Sequence, residues 1–155
     1  MKVIGLVAIQ PFFGGEERTD SEKRLSLLVL MDRSDWLWKA FLPPTEAAEA
    51  GRDHAAINVS GPRADDISAL DRFPATLVFI GGLDGLQDSQ RRYYDWLKSS
   101  GKETYLVEYS NMPHAFYVFP EVSESGELIS QVMEFVHKQC QVARRDGGDS
   151  VGSTN

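Results

Sequence analysis

Three residues of this chain have side chains that could together move a proton and form a covalent bond. Asp84 lies in "GGLDGLQD", His114 in "SNMPHAFYVFP", and Ser150 in Gly148-Asp149-Ser150-Val151-Gly152, a match to G-x-S-x-G. A carboxylate that orients an imidazole, which in turn deprotonates a hydroxyl, is the chemistry of acyl transfer. The G-x-S-x-G pattern carries a nucleophile only where a strand precedes it and a helix follows, because the serine must be lifted on a strained turn. No strand signal precedes Ser150 and only five residues follow it. The serine match is therefore read as coincidence, and the acid–histidine pair as the candidate chemistry.

The bland readings are specific too. A loop aspartate is usually a turn or cap residue, and Asp88 is read as the N-cap of a helix. A histidine among aromatics is often a packed surface residue. What favours chemistry is placement, since Asp84 falls just beyond an apolar run and His114 in the loop after a later strand signal.

Those runs define the elements. Val3–Ile9 is continuously apolar and stopped by Pro11, Gly14 and Gly15, as suits a parallel strand covered on both faces. The same run after Lys2 resembles a signal peptide, but it lacks a small-residue cleavage site and falls short of spanning length. Helical patterns follow at Ser21–Met31 and Asp35–Phe41, with Thr19 and Glu22 at capping-box spacing. "PATLVFIGG" is a second buried strand. "DSQRRYYDWLKSSG" is an amphipathic helix that places Tyr94, Leu97 and Trp96 toward the sheet and stops at Gly101. "ETYLVEYS" is a third strand. "SESGELISQVMEFVHKQC" is a closing helix with Leu128, Ile129, Val132, Phe135 and Val136 on one stripe. Strand–helix–strand–helix order predicts an α/β fold: parallel strands, flanking helices and right-handed crossovers. Loops beyond adjacent strand ends then lie side by side, which would bring Asp84 to His114. One domain is expected over residues 1–140. Residues 141–155, glycine-rich and polar, are expected to be a disordered tail.

Composition narrows the function classes. With 23 acidic and 16 basic residues among 155 and a net charge of −7, neither nucleic acid nor an anionic membrane is an expected partner. The single cysteine, Cys140, excludes an internal disulfide and suits a reducing compartment, so the cytoplasm is expected, with the nucleus as a second location. His54, His114 and His137 lack metal-ligand spacing, and no metal or other cofactor is expected.

Longer stretches carry a resemblance. "IQPFFGGEERTDSE", "SDWLWKAFLPP", "RDHAAINVSGP", "FPATLVFIGGLDGLQD", "RRYYDWLKSSGK" and "HAFYVFPE" together cover most of Val3 to Gln139. Through them the chain resembles the C-terminal half of a plant carboxylesterase of the α/β-hydrolase fold. The branch is the hormone-sensitive-lipase-like one that also contains the gibberellin receptors. The resemblance implies that Asp84 is the triad acid, in G-x-D-x-L-x-D, and His114 the triad base, in H-x-F. It implies a small-molecule ester as substrate. Receptors of this branch typically replace that histidine, so its presence favours the esterase side. Phe12 and Phe13 become substrate-pocket candidates, although either could be a core aromatic, while Trp36 and Trp38 are expected to pack. Gly85 stands where relatives often have proline, which should loosen the Asp84 turn. In that family the oxyanion loop and serine elbow precede these elements, and both are expected to be absent from this chain. The expectation is a truncated hydrolase, inactive without the N-terminal half of the fold. A non-catalytic, hormone-receptor-like binding protein is the alternative, and a non-functional product with an exposed strand edge a third.

Overall fold

In a computed structural model of the chain, residues 2–25 and 31–148 are described. Strand β1 spans Leu6–Ile9, β2 Thr76–Gly81 and β3 Thr104–Tyr109; helices α1 to α5 span Asp20–Leu25, Met31–Phe41, Pro44–Ala50, Gln87–Ser99 and Ser123–Gly148. The strands form a three-stranded sheet in the order β1-β2-β3, both pairs parallel. Ile9 lies level with Phe79, and Gly81 with Tyr109, so the three strands deliver their following loops to one edge of the sheet.

Every residue of β2 is buried, as its uninterrupted apolar run requires for a central strand covered on both faces. Its side chains divide by alternation. Leu77 and Phe79 pack with Tyr109, Phe116, Leu128 and Phe135, while Val78 and Ile80 pack with Ile67, Tyr93 and Leu97. Helices α5 and α4 thus cover opposite faces of the sheet.

Local signals held where the interaction is local. Thr19 and Glu22 form a reciprocal capping box at the start of α1: Glu22 N–H donates to Thr19 Oγ1 at 3.2 Å and Thr19 N–H to Glu22 Oε2 at 2.8 Å. Gly101 closes α4 with φ +71°, its N–H bonded to the Lys98 carbonyl and that of Lys102 to the Leu97 carbonyl. This double bond pattern ends a helix through a left-handed residue that glycine adopts without strain.

Other expectations are corrected. Asp88 is not the N-cap of α4: Leu86 holds that position, and the Asp88 carboxylate instead accepts the Ser21 N–H at 2.7 Å. Tyr93, rather than Tyr94 or Trp96, is the aromatic residue buried with Leu97, and the other two pack at the margin of that cluster. On α5 the face against the sheet runs through Leu128, Val132, Phe135 and Gln139. Ile129 and Val136, one step round the helix, are 50% and 44% exposed. Helix α3 had no counterpart in the sequence reading. The last helix runs past Cys140 to Gly148, because glutamine, alanine and arginine sustain helix without burial. The remainder of the expected tail, including Ser150, lies outside the described residues. Trp38 packs as expected, at 2% exposure, but Trp36 is 64% exposed.

The long connection between β1 and β2 is tied down by charge. The Asp53 carboxylate accepts the Glu16 N–H at 3.0 Å and Asn58 Nδ2 at 2.8 Å. The Glu16 backbone bond, helped by Asn58 and the nearby Arg63 and Arg52, holds the Asp53 carboxyl below its ordinary range. A depressed carboxylate contributes stability above its unfolded titration range, and that contribution fades as pH falls through the lower folded value. Asp53→Asn should therefore destabilise the chain at about pH 6, with the difference from the parent narrowing toward about pH 3. Urea midpoints at the two pH values check this; a gap that widens on acidification would contradict it.

Candidate active site

The loops that follow the three strands converge at the carboxyl edge of the sheet. The β2 loop turns at once: Gly82 N–H bonds the Tyr109 carbonyl at 2.9 Å and Leu83 N–H the Met112 carbonyl at 3.1 Å, locking it to the β3 loop. Two glycines allow this approach. A Cβ on Gly82 would run into the Ser110 backbone, with its carbonyl carbon 2.8 Å away. Gly82→Ala must then push the two loops apart, at a cost of about 1–3 kcal/mol. Denaturant unfolding checks this, and an unchanged midpoint would show that the loops move apart freely.

Asp84 is wholly buried at the start of the β2 loop, and the His114 side chain is 30% exposed. Their contact spans thirty residues of sequence, with His114 Nδ1 2.7 Å from Asp84 Oδ2. The distance lies within the range of a charge-assisted hydrogen bond. A buried carboxylate is costly unless its lone pairs are met. Here Oδ1 accepts the Leu86 N–H at 2.9 Å, and Oδ2 also accepts Gln90 Nε2 at 2.8 Å. A carboxylate can only accept, so it selects the imidazole tautomer protonated at Nδ1 and leaves Nε2 with a lone pair. That is the geometry of an orienting acid and a general base.

The surroundings separate the two phenylalanines. Phe12 approaches His114 edge-on, with ring centroids 6.0 Å apart, and stacks obliquely on Trp38, whose Nε1–H donates to the Phe12 carbonyl. With Leu37, Trp38, Phe41, Ala56 and Ile57 it lines an apolar cavity of about 300 Å³. Phe13 turns the other way and packs on Tyr93 in the core, 4.9 Å between centroids.

Gln90 and Ser21 also support the site, and neither carries a functional signal in the sequence. Gln90 is fully buried and also reaches the Pro11 carbonyl at 3.4 Å. In the sequence it is only a polar residue on the same helical stripe as Tyr93 and Leu97. Ser21 ties the Asp84 turn to α1, donating from Oγ to the Gly85 carbonyl at 2.8 Å while its N–H bonds Asp88. No sequence rule pairs residues 64 apart. Among the described residues, no group of three or more His, Cys, Asp or Glu could hold a metal ion, and no helix is long and apolar enough to cross a membrane.

A parallel sheet wrapped by helices, with an acid and a histidine paired on successive strand-end loops, defines a hydrolase scaffold of the α/β class. The chain belongs to the alpha/beta hydrolase fold family, whose pattern residues 1–118 match. Among similar proteins is a gibberellin receptor of Arabidopsis thaliana, 38% identical over 142 residues, which cover 90% of this chain and 40% of the receptor. Another is a probable carboxylesterase of the same plant, 38% identical over 145 residues, 90% of this chain and 42% of that one. The chain thus spans about two fifths of the length of these relatives. Solved structures of similar fold include a thermostable carboxylesterase cloned from a metagenomic library, at TM-score 0.68 and 21% identity over 88% of this chain and 45% of that one. A fungal esterase from Rhizomucor miehei superposes at TM-score 0.70 with 20% identity, over 90% of this chain and 42% of that one.

Proposed function

We propose that this chain supplies the acid and the base of a serine carboxylesterase acting on small, partly apolar esters. The observation that carries the reading is the 2.7 Å contact between His114 Nδ1 and a buried, otherwise satisfied Asp84 carboxylate. In the reaction, His114 Nε2 takes the proton of a serine hydroxyl as its Oγ attacks the ester carbonyl carbon. The imidazolium then protonates the departing alkoxide, leaving an acyl-serine. Water, deprotonated by the same Nε2, cleaves the acyl bond and returns the proton to the serine. Asp84 holds the ring orientation and stabilises the transient imidazolium. The serine and the oxyanion donors are assigned to sequence beyond these residues, because the one G-x-S-x-G here follows the histidine in chain order. The Phe12–Trp38 cavity beside His114 suits an apolar acyl or alcohol group.

A second reading, a small-molecule binding protein without turnover, is favoured by the 38% identity to a gibberellin receptor. One experiment separates the two. An N-terminal half from the similar Arabidopsis carboxylesterase is fused ahead of residue 1 and assayed for hydrolysis of short p-nitrophenyl esters and, by calorimetry, for binding of a gibberellin. Turnover dependent on His114 supports the esterase. Hormone binding without turnover supports the receptor-like protein.

A further inference from the structure

The last residue before the β1 loop turns is Gln10, whose side chain crosses the strand ends to the loop carrying His114. Its Nε2 donates to the Pro113 carbonyl at 2.9 Å, and its Oε1 accepts the Ala115 N–H at 2.7 Å. One primary amide therefore brackets His114 from both sides, bonding the residue before it and the residue after it. We infer that Gln10 is a positioning residue that sets the His114 imidazole against Asp84; the inference rests on the catalytic reading of that pair.

Three observations argue that this bracket is built rather than incidental. Gln10 is 2% exposed, so its amide has been removed from water and needs both partners. Its backbone stands at φ +42°, in the left-handed region that costs a non-glycine residue energy and persists only where surroundings hold it. Ala115, the residue it bonds, is left-handed as well, at φ +60°. Two strained residues from segments about a hundred positions apart thus meet through one side chain. The room for it is also specific. A Cβ on Gly81 would collide with Gln10 Nε2 and come within 2.5 Å of the Met112 carbonyl oxygen. The end of the central strand is bare where the amide passes.

The chemistry requires such a bracket. Asp84 fixes the imidazole only through Nδ1, and a single hydrogen bond leaves the ring free to swing with its loop. Catalytic groups must be held to within a fraction of an ångström. Gln10 locks the backbone on either side of the ring, while Asp84 locks the ring itself. An amide suits this task because it offers a donor and an acceptor at one point. A carboxylate would set an oxygen against the Pro113 carbonyl.

The test uses the 155-residue chain labelled at histidine and in the backbone. In the unsubstituted chain, the Gln10 side-chain amide protons should show cross-peaks to the Ala115 amide. Gln10→Ala should speed exchange of the Ala115 amide by roughly 3–10-fold, the loss of one hydrogen bond. It should also move the His114 ring nitrogens from a single Nδ1-protonated signature toward averaged tautomers, with His54 and His137 unmoved. Gln10→Glu keeps the side-chain length and an acceptor for Ala115, so it fills the space that alanine leaves empty. It should leave the Ala115 amide protected while still disturbing the His114 signature. An unchanged His114 signature in both variants, or missing cross-peaks, overturns the inference. Failure of the catalytic reading shows itself separately, as activity of the fused protein that survives His114→Ala.

Discussion

Alanine in place of His114 should lower kcat/KM of the fused, complete hydrolase for short p-nitrophenyl esters by about 10⁴-fold or more. The imidazole is the one group at this site able both to accept the serine proton and to return it to the leaving group, so its loss removes two steps at once. Asp84→Asn should cost about 10²–10⁴-fold, because an amide can donate to Nδ1 and select the wrong tautomer while leaving the packing in place. Both losses should fall on kcat more than on KM, since neither side chain lines the Phe12 cavity. A polypeptide of these 155 residues alone should show no turnover above the His114→Ala background. An acid–histidine pair without a serine could activate only water, and losing even one oxyanion donor costs about 10²–10³-fold. Robust hydrolysis by the 155-residue polypeptide, abolished by Ser150→Ala, would sink this assignment and restore the G-x-S-x-G match as an elbow. Activity of the fusion that survives His114→Ala would leave the family membership intact and the site misplaced.

The largest loss of stability should come from Phe79→Ala, about 3–5 kcal/mol. Phe79 is at 0% exposure in the central strand, stacks on Tyr109 at 6.5 Å between centroids, and belongs to the cluster that joins β2 to Phe116, Leu128 and Phe135. The bulk lost cannot be refilled by collapse, since Phe79 lies on the inward side of a strand hydrogen-bonded on both edges. Typical domains hold only about 5–15 kcal/mol in total, so this loss removes a large share of the stability. Ile129→Ala is the control. Half exposed on α5, it should change stability by no more than about 0.5 kcal/mol. Urea titration of the two variants decides, and equal shifts would mean that the core has been placed on the wrong face of α5.

What the sequence determined by itself was the strands and those helix ends whose signals lie among near neighbours. The apolar runs at Val3–Ile9, "PATLVFIGG" and "ETYLVEYS" became β1, β2 and β3, with β1 shortened to Leu6–Ile9. Thr19 with Glu22, and Gly101, ended helices as their side chains or lack of one dictated, because capping spans only a few residues. Strand–helix alternation even placed Asp84 and His114 on adjacent loops, since parallel strands open their following loops on one edge. The tertiary structure decided which polar groups meet there. That Asp88 bonds Ser21 instead of capping α4, that Gln90 supports Asp84, and that Gln10 reaches the flanks of His114 all depend on contacts across as many as 105 residues. The same holds for Phe12 facing the cavity while Phe13 faces the core, and for Ile129 and Val136 staying half exposed on an apolar stripe. A helix or strand pattern states which residues share a face. Only the packing of that face against another element, fixed by strand register and the close approach of bare glycines, states how wide it is and what it touches.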